Sequence, residues 1–320
     1  MTSAGVSPLS GRAALVTGSS RGLGLLIARE LADRGCKVML CARDEGELEA
    51  ARDMVRGRGA EVRATVCDIT DAWAPQRLVD DTVAEFGALD VLVNNAGMIQ
   101  VGPLDAMREE DFRAAMETMF FAPLRLTLAA LPVMRERGDG RIVNVTSIGG
   151  RVAAPHLMPY VAAKFALTGF SEGLRAELAA AGVAVTTVVP GLMRTGSHLA
   201  ARFSGDAARE YAWFATAAGL PLLSMDAERA ARAIVRAAER RRPELVLTAL
   251  AKAAVRLHGV APATTVRALE LASRMLPGEG GGAAHDLPGA EAARRLGSRL
   301  VRRASALNDR AARRFNQRPA

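Results

Sequence analysis

Residues 12–31, RAALVTGSSRGLGLLIAREL, set a short apolar run against a glycine-rich turn and then a helix. Arg12–Thr17 reads as a buried strand, and Leu23, Leu26, Ile27, Glu30 and Leu31 recur at helical spacing. Between them Gly18, Gly22 and Gly24 are spaced G-x-x-x-G-x-G. Glycines let the backbone turn tightly and let a pyrophosphate approach the helix N-terminus, whose amides and dipole attract anions. A strand, a glycine turn and a helix in that order open a dinucleotide-binding unit.

The same rhythm continues downstream. Strands are expected at Lys37–Ala42, Glu61–Cys67, Leu89–Val93, Arg141–Thr146 and Val183–Val189, with helical segments between them. Such alternation predicts an α/β, doubly wound parallel sheet of the Rossmann type, with helices on both faces. It is expected over residues 10–249, after a flexible stretch at 1–9. Ligands of such sheets sit beyond the carboxyl ends of the strands. Gly18 to Gly24, Arg43, Asp68, Asn95 to Gly97, Ser147 and Gly191 each follow a strand, so they converge on one site.

The stretch 147–164, SIGGRVAAPHLMPYVAAK, carries the chemistry. Tyr160 and Lys164 are four apart, hence on one helix face, and Ser147 lies upstream at the end of a strand. A nearby ammonium favours a phenolate and pulls the tyrosine towards neutrality, where a proton donor is useful. A serine hydroxyl beside it would polarise a carbonyl oxygen. The three residues suit interconversion of a carbonyl and an alcohol. A solvated helix face with an incidental Tyr–Lys pair is the plainer alternative.

An acidic residue at the end of the second strand would hold a ribose 2′-hydroxyl, whereas arginine accommodates a 2′-phosphate. That place holds Ala42 followed by Arg43, and Arg21 adds a cation within the glycine turn. NADP(H) is therefore expected over NAD(H). Asp44 is placed to cap the next helix. Asp68 suits either an adenine contact or a helix cap. Asn94 and Asn95 are candidates to satisfy backbone groups and position the ribose end.

With TGSSRGLG at 17–24, NNAG at 94–97, Ser147, YVAAK at 160–164 and PGLMRT at 190–195, the chain resembles the short-chain dehydrogenase/reductase family. That resemblance implies catalysis by Ser147, Tyr160 and Lys164. It implies cofactor contacts from Gly18, Ser20, Arg21, Gly22, Leu23, Gly24, Arg43, Asp68, Asn95, Ala96, Gly97, Tyr160, Lys164 and Thr195. In it Tyr160 donates the proton and Ser147 positions the substrate oxygen. Lys164 holds the nicotinamide ribose and lowers the tyrosine's pKa, and Thr195 meets the carboxamide. It further implies strand order 3-2-1-4-5-6, a seventh strand at Glu244–Leu247, and a homodimer or homotetramer. One position departs: Met119 stands where the family usually has an asparagine that holds a relay water.

Residues 193–226 are expected to form a substrate lid, and Phe203, Tyr211, Trp213 and Phe214 within it favour a bulky hydrophobic carbonyl substrate. The net charge of +8 resides in the extension 250–320, with 13 basic against 5 acidic residues from Leu250 onward. There, 277–289 reads as a flexible glycine-rich linker. Glu291–Phe315 reads as a basic helix suited to a partner, an anionic membrane surface in peripheral contact, or its own domain. Without interleaved aromatics, nucleic-acid binding is not expected. No apolar run suggests a membrane span, MTSAGVSPLSGR does not resemble a signal peptide, and three cysteines without C-x-x-C spacing fit reduced thiols. A cytoplasmic placement follows as the expectation. The other functional reading is a catalytically weak NADP-binding scaffold recruited by its basic tail. No metal site is expected.

Overall fold

The computed structural model describes residues 7–221, 223–278 and 284–317. The chain opens as β1 (Ala13–Thr17), α1 (Gly22–Asp33), β2 (Lys37–Ala42), α2 (Glu45–Arg56), β3 (Val62–Val66), α3 (Ala74–Phe86) and β4 (Val91–Asn94). A two-residue strand, β5 (Gln100–Val101), precedes α4 (Glu109–Met116). One π-helical turn, Glu117–Phe121, joins α4 to α5 (Ala122–Arg137). Then come β6 (Gly140–Val145), α6 (Met158–Glu177) and β7 (Val183–Val189). The lid region holds β8 (Leu192–Arg194), α7 (Ser197–Ala200), β9 (Arg202–Gly205), α8 (Ala207–Gly219) and β10 (Ser224–Asp226). Next, α9 (Ala227–Glu239) and β11 (Glu244–Val246) return to the main sheet. The extension carries α10 (Ala249–Val260), α11 (Pro262–Ser273), β12 (Ala284–Pro288), α12 (Gly289–Leu296) and α13 (Arg299–Arg314).

Seven strands form one parallel sheet in the order β11-β7-β6-β4-β1-β2-β3. The order is the one implied by the resemblance, with Glu244–Val246 as the outer seventh strand. β1, β4 and β6 are buried along their whole length, as strands covered on both faces must be. One face packs on α1, α2 and α9 through Leu26, Ile27, Leu48, Val55 and Ile234. The other packs on α3, α5 and α6 through Leu78, Leu126, Met134 and Leu174. Each fully buried leucine of this kind contributes about 1.5–3 kcal/mol.

The continuous helical stretch Glu109–Arg137 has a mean hydropathy of 1.3 over its most apolar window and is long enough to cross a membrane. That differs from the expectation that no run qualifies. Ala115, Met119, Leu126, Ala130 and Met134 on it are fully packed inside the domain, so its apolar character serves the core.

The extension departs most from expectation. Glu291–Phe315 is not one helix: Gly297, at φ +60°, ends α12, and the Ser298 hydroxyl caps α13. Its apolar face is divided: Ala311 and Phe315 are buried with Ser305, Asn308 and Ala312, whereas Leu300 and Leu307 are exposed. Ala304 and Ser305 lie against Gly219 at the end of α8. Residues 284–288 are not linker but β12, antiparallel to β9 and tied by the Arg202–Asp286 ion pair at 2.6 Å. Of the glycine-rich segment, 279–283 lies outside the described residues. At the other end, only 1–6 lie outside them. Leu9 is fully buried and Ser7 donates to Glu239 at 2.6 Å, so this part of the N-terminus is packed.

Candidate active site

The glycine turn is built by close approach. Gly18 has φ +61°, and a Cβ there would stand 2.8 Å from the Ala96 Cα. A Cβ at Gly24 would collide with the Gly18 carbonyl and the Asn95 amide. Asn95 fixes the turn by donating its Nδ2 to the carbonyls of Thr17 (3.0 Å) and Gly18 (3.2 Å). Thr17 Oγ1 accepts from the amides of Asn95 and Ala96. At the start of α1, the amides of Leu23 and Gly24 have no hydrogen-bond partner among the described residues. Two free amides at a helix N-terminus form an anion site.

One cavity of about 940 Å³ runs from this turn to the lid. Gly18, Ser20, Arg21, Gly22, Leu23, Gly24, Arg43, Asp68, Asn95, Ala96, Gly97, Ser147, Tyr160, Lys164 and Thr195 all line it. Asn94 does not. It is buried between β4 and β6, donating to Asn144 Oδ1 at 2.8 Å, and Asn144 in turn donates to Ser171. Its role is to pair strands, not to position a ribose.

At the far end of the sheet, Asp44 caps α2 by accepting from the Glu47 amide at 2.7 Å. Asp68 is no helix cap: its Oδ1 accepts from the Thr70 amide and hydroxyl, and α3 begins only at Ala74. Burial pushes the Asp68 carboxyl up, but those hydrogen bonds and Arg43 outweigh it and hold it below its ordinary value. Arg43 is largely exposed, 3.7 Å from Asp68. Arg21 is engaged by Glu47 at 2.9 Å, and Glu47 also accepts from Ser20. Glu47 is a pocket residue that sequence reading did not single out.

Ser147 follows β6 by two residues in extended conformation, and its Oγ accepts from the Gly149 amide at 3.0 Å. That leaves its own proton free to donate. Burial raises the Tyr160 pKa, and hydrogen bonding to Ser147 pulls in the opposite direction. Lys164 donates to the Val145 carbonyl at 2.8 Å, and burial brings its pKa down to about 8. Desolvation is the largest influence on both groups. A Cβ on Gly149 would stand 3.2 Å from the Tyr160 ring, close enough that the ring would have to shift slightly.

Met119 sits in the π-turn, fully buried against Ala115, Ala163 and Tyr160, with its sulfur beside Gly97. The residue of that turn lining the cavity is Thr118. A π-turn inserts one residue into the helical register, so sequence spacing does not carry straight across it.

The lid aromatics divide into two groups. Phe203 and Tyr211 are buried in the lid's own core, their rings 5.5 Å apart, whereas Trp213 and Phe214 line the cavity. Glu210, fully buried, accepts from Trp213 Nε1 at 2.7 Å and pairs with His156 Nδ1 at 2.8 Å. It thereby ties α8 to the loop that precedes α6. Neither Glu210 nor His156 carries a signal in the sequence. Ala272 and Leu276 from the extension complete the apolar end.

The sequence matches the short chain dehydrogenase family model over residues 12–202. The chain belongs to this family. It is 37% identical to the 3-oxoacyl-(acyl-carrier-protein) reductase of Escherichia coli over 185 residues, covering 58% of this chain and 75% of that one. A short-chain dehydrogenase from Streptomyces avermitilis superposes with a TM-score of 0.71 at 33% identity, covering 86% of this chain and 99% of the other. The actinorhodin polyketide ketoreductase, solved with NADPH, gives a TM-score of 0.65 at 31% identity, with coverages of 74% and 95%. This short-chain dehydrogenase is thus an NAD(P)-dependent oxidoreductase. The free amides of Leu23 and Gly24 and the close-packed glycine turn fit the pyrophosphate of such a cofactor.

Proposed function

We propose that this short-chain dehydrogenase reduces a bulky hydrophobic ketone or aldehyde with NADPH, with Tyr160 as the proton donor. The observation that carries the reading is the cavity itself. It joins a dinucleotide-shaped glycine turn to an apolar end lined by Leu157, Trp213, Phe214, Ala272 and Leu276, with Ser147, Tyr160 and Lys164 between. A bound nicotinamide supplies a hydride to the carbonyl carbon. Ser147 donates a hydrogen bond to the carbonyl oxygen, and Tyr160 gives that oxygen its proton, so hydride and proton together make the alcohol. Lys164 serves the cofactor's ribose, while the lid and Met193 exclude water. The preference for NADP(H) rests on Arg43, whose guanidinium is exposed at the end of β2 with no acidic residue at Ala42. A homodimer or homotetramer is part of the proposal, since Phe121, Leu128 and Phe165 are exposed on the long helices. A cytoplasmic placement belongs to it too.

The test is NADPH oxidation at 340 nm across a panel of hydrophobic ketones and aldehydes, with Tyr160→Phe alongside. Turnover is expected to fall at least about 100-fold in the variant, with NADPH affinity retained. Undiminished turnover in Tyr160→Phe would remove the proton-donor assignment, and a native enzyme that binds NADPH yet reduces nothing in the panel counts against the substrate class.

A further inference from the structure

The last described residues of the chain reach back to the first functional turn. Phe315 is buried in the main core, and its carbonyl accepts from the Gly22 amide at 2.9 Å. Asn316, at φ +57°, donates its Nδ2 to the carbonyls of Ser20 and Glu47, each at 2.9 Å. Asparagine is among the few residues that adopt this left-handed conformation readily. The Gln317 amide donates to the Ala312 carbonyl at 2.9 Å, which fixes where its side chain begins. From the other side, Asn308 on α13 accepts from the Gly196 amide at 2.7 Å. The segment is therefore seated on both the glycine turn and the Thr195–Gly196 loop.

Gln317 is 8% exposed and lines the cavity. A Cβ on Gly22 would lie 3.3 Å from its Nε2, and one on Gly196 would lie 2.7 Å from its Oε1. The carboxamide thus stands between the two loops that border the free amides of α1. Among the described residues its Oε1 is buried without a partner and its Nε2 forms no hydrogen bond. Nearly every buried polar group in a folded protein is satisfied. Of the two carboxamide atoms it is the unpaired Nε2 donor that an anion can satisfy, since the oxygen only accepts.

Building on the dinucleotide assignment above, we propose that the C-terminal segment Phe315–Gln317 is part of the cofactor site. In it the Gln317 side chain donates to the pyrophosphate between the glycine turn and the Thr195–Gly196 loop. The extension then has a functional role besides packing on the lid: it closes the edge of the dinucleotide cleft with a neutral donor. A carboxamide suits this place, because it adds a hydrogen bond to an anion without adding a charge that would slow cofactor release.

The experiment is a fluorescence titration of the full chain, native and with Gln317→Ala or Gln317→Glu, using NADPH, NADH and adenosine 2′-monophosphate. Both dinucleotides are expected to bind about tenfold more weakly to Gln317→Ala, and more weakly still to Gln317→Glu, whose carboxylate repels the pyrophosphate. Adenosine 2′-monophosphate lacks the pyrophosphate, so its affinity is expected to stay constant. Native-like or tighter dinucleotide binding by Gln317→Ala overturns the proposal, as does an equal loss for the mononucleotide, which marks a merely structural residue. Native chain that binds neither dinucleotide overturns the cofactor assignment itself, and the Gln317 proposal with it.

Discussion

Lys164 donates its Nζ to the Val145 carbonyl at 2.8 Å and lies 5.8 Å from the centre of the Tyr160 ring. The ammonium is therefore held by the end of the strand that leads into Ser147, one turn along α6 from the phenol. Lys164 is buried and Tyr160 half-buried, and burial raises the tyrosine while lowering the lysine to about 8. An anionic cofactor brought to this site favours the charged lysine, and that in turn favours the phenolate.

The buried lysine has a cost that pH exposes. Its pKa is about 8 when folded against an ordinary 10.5, so between those values the unfolded chain holds a proton that the folded chain does not. Stability from this group therefore rises with pH across that window and is lowest below pH 8. Lys164→Met removes the charge. Relative to the native chain, the variant without cofactor is expected to gain about 1–3 kcal/mol below pH 8, with the gain shrinking from pH 8 to 10.5. Urea unfolding of both chains at several pH values measures this, and a pH-independent difference would contradict it. Turnover is expected to be lost at every pH.

Arg43 and Arg21 are unequal partners for a 2′-phosphate. Arg21 is already paired with Glu47, whereas Arg43 is 76% exposed and only loosely near Asp68. Arg43→Ala is expected to weaken NADPH binding about tenfold, the size of one charge-assisted contact, and to leave NADH binding unchanged. Parallel calorimetric titrations decide the point. Equal losses for both cofactors would place Arg43 outside the recognition of the 2′-phosphate.

Glu210 holds the lid through Trp213 and His156. Glu210→Ala leaves an indole N–H and an imidazole without their buried acceptor, at a cost of about 1–3 kcal/mol. The expected outcome is a lower thermal midpoint and a KM for hydrophobic carbonyls raised several-fold, with NADPH affinity preserved. A variant with native KM would show that the lid is kept in place by its apolar packing alone.

The sheet was legible because each central strand is a short, largely apolar run followed by a turn residue or a cap, and parallel order follows from that alternation. Ser147, Tyr160 and Lys164 were legible because one helix and one strand end set their spacing. The extension was not. A glycine at 297 and the strand Ala284–Pro288 carry weak local signals, since the strand exists only through pairing with Arg202–Gly205. The amphipathic face of α13 could be read, but not that α8 covers part of it. The path from Gln317 to Gly22 spans nearly the whole chain, a distance over which no sequence pattern reports contact.

Met119 tests how far family spacing transfers across a π-turn. Its side chain faces Ala115, Ala163 and Gly97, and Thr118 is the residue that lines the cavity. An asparagine at 119 would be fully buried in a site filled by a methionine, against Ala115 and Ala163, with Tyr160 and the Lys164 Nζ the polar groups near it. Met119→Asn is therefore expected to lose about 1–3 kcal/mol of stability, measured by urea unfolding, with kcat no higher than in the native enzyme. A kcat raised about tenfold or more would mean that an amide at 119 does reach the Tyr160–Lys164 relay, and that the native chain runs slowly for want of it.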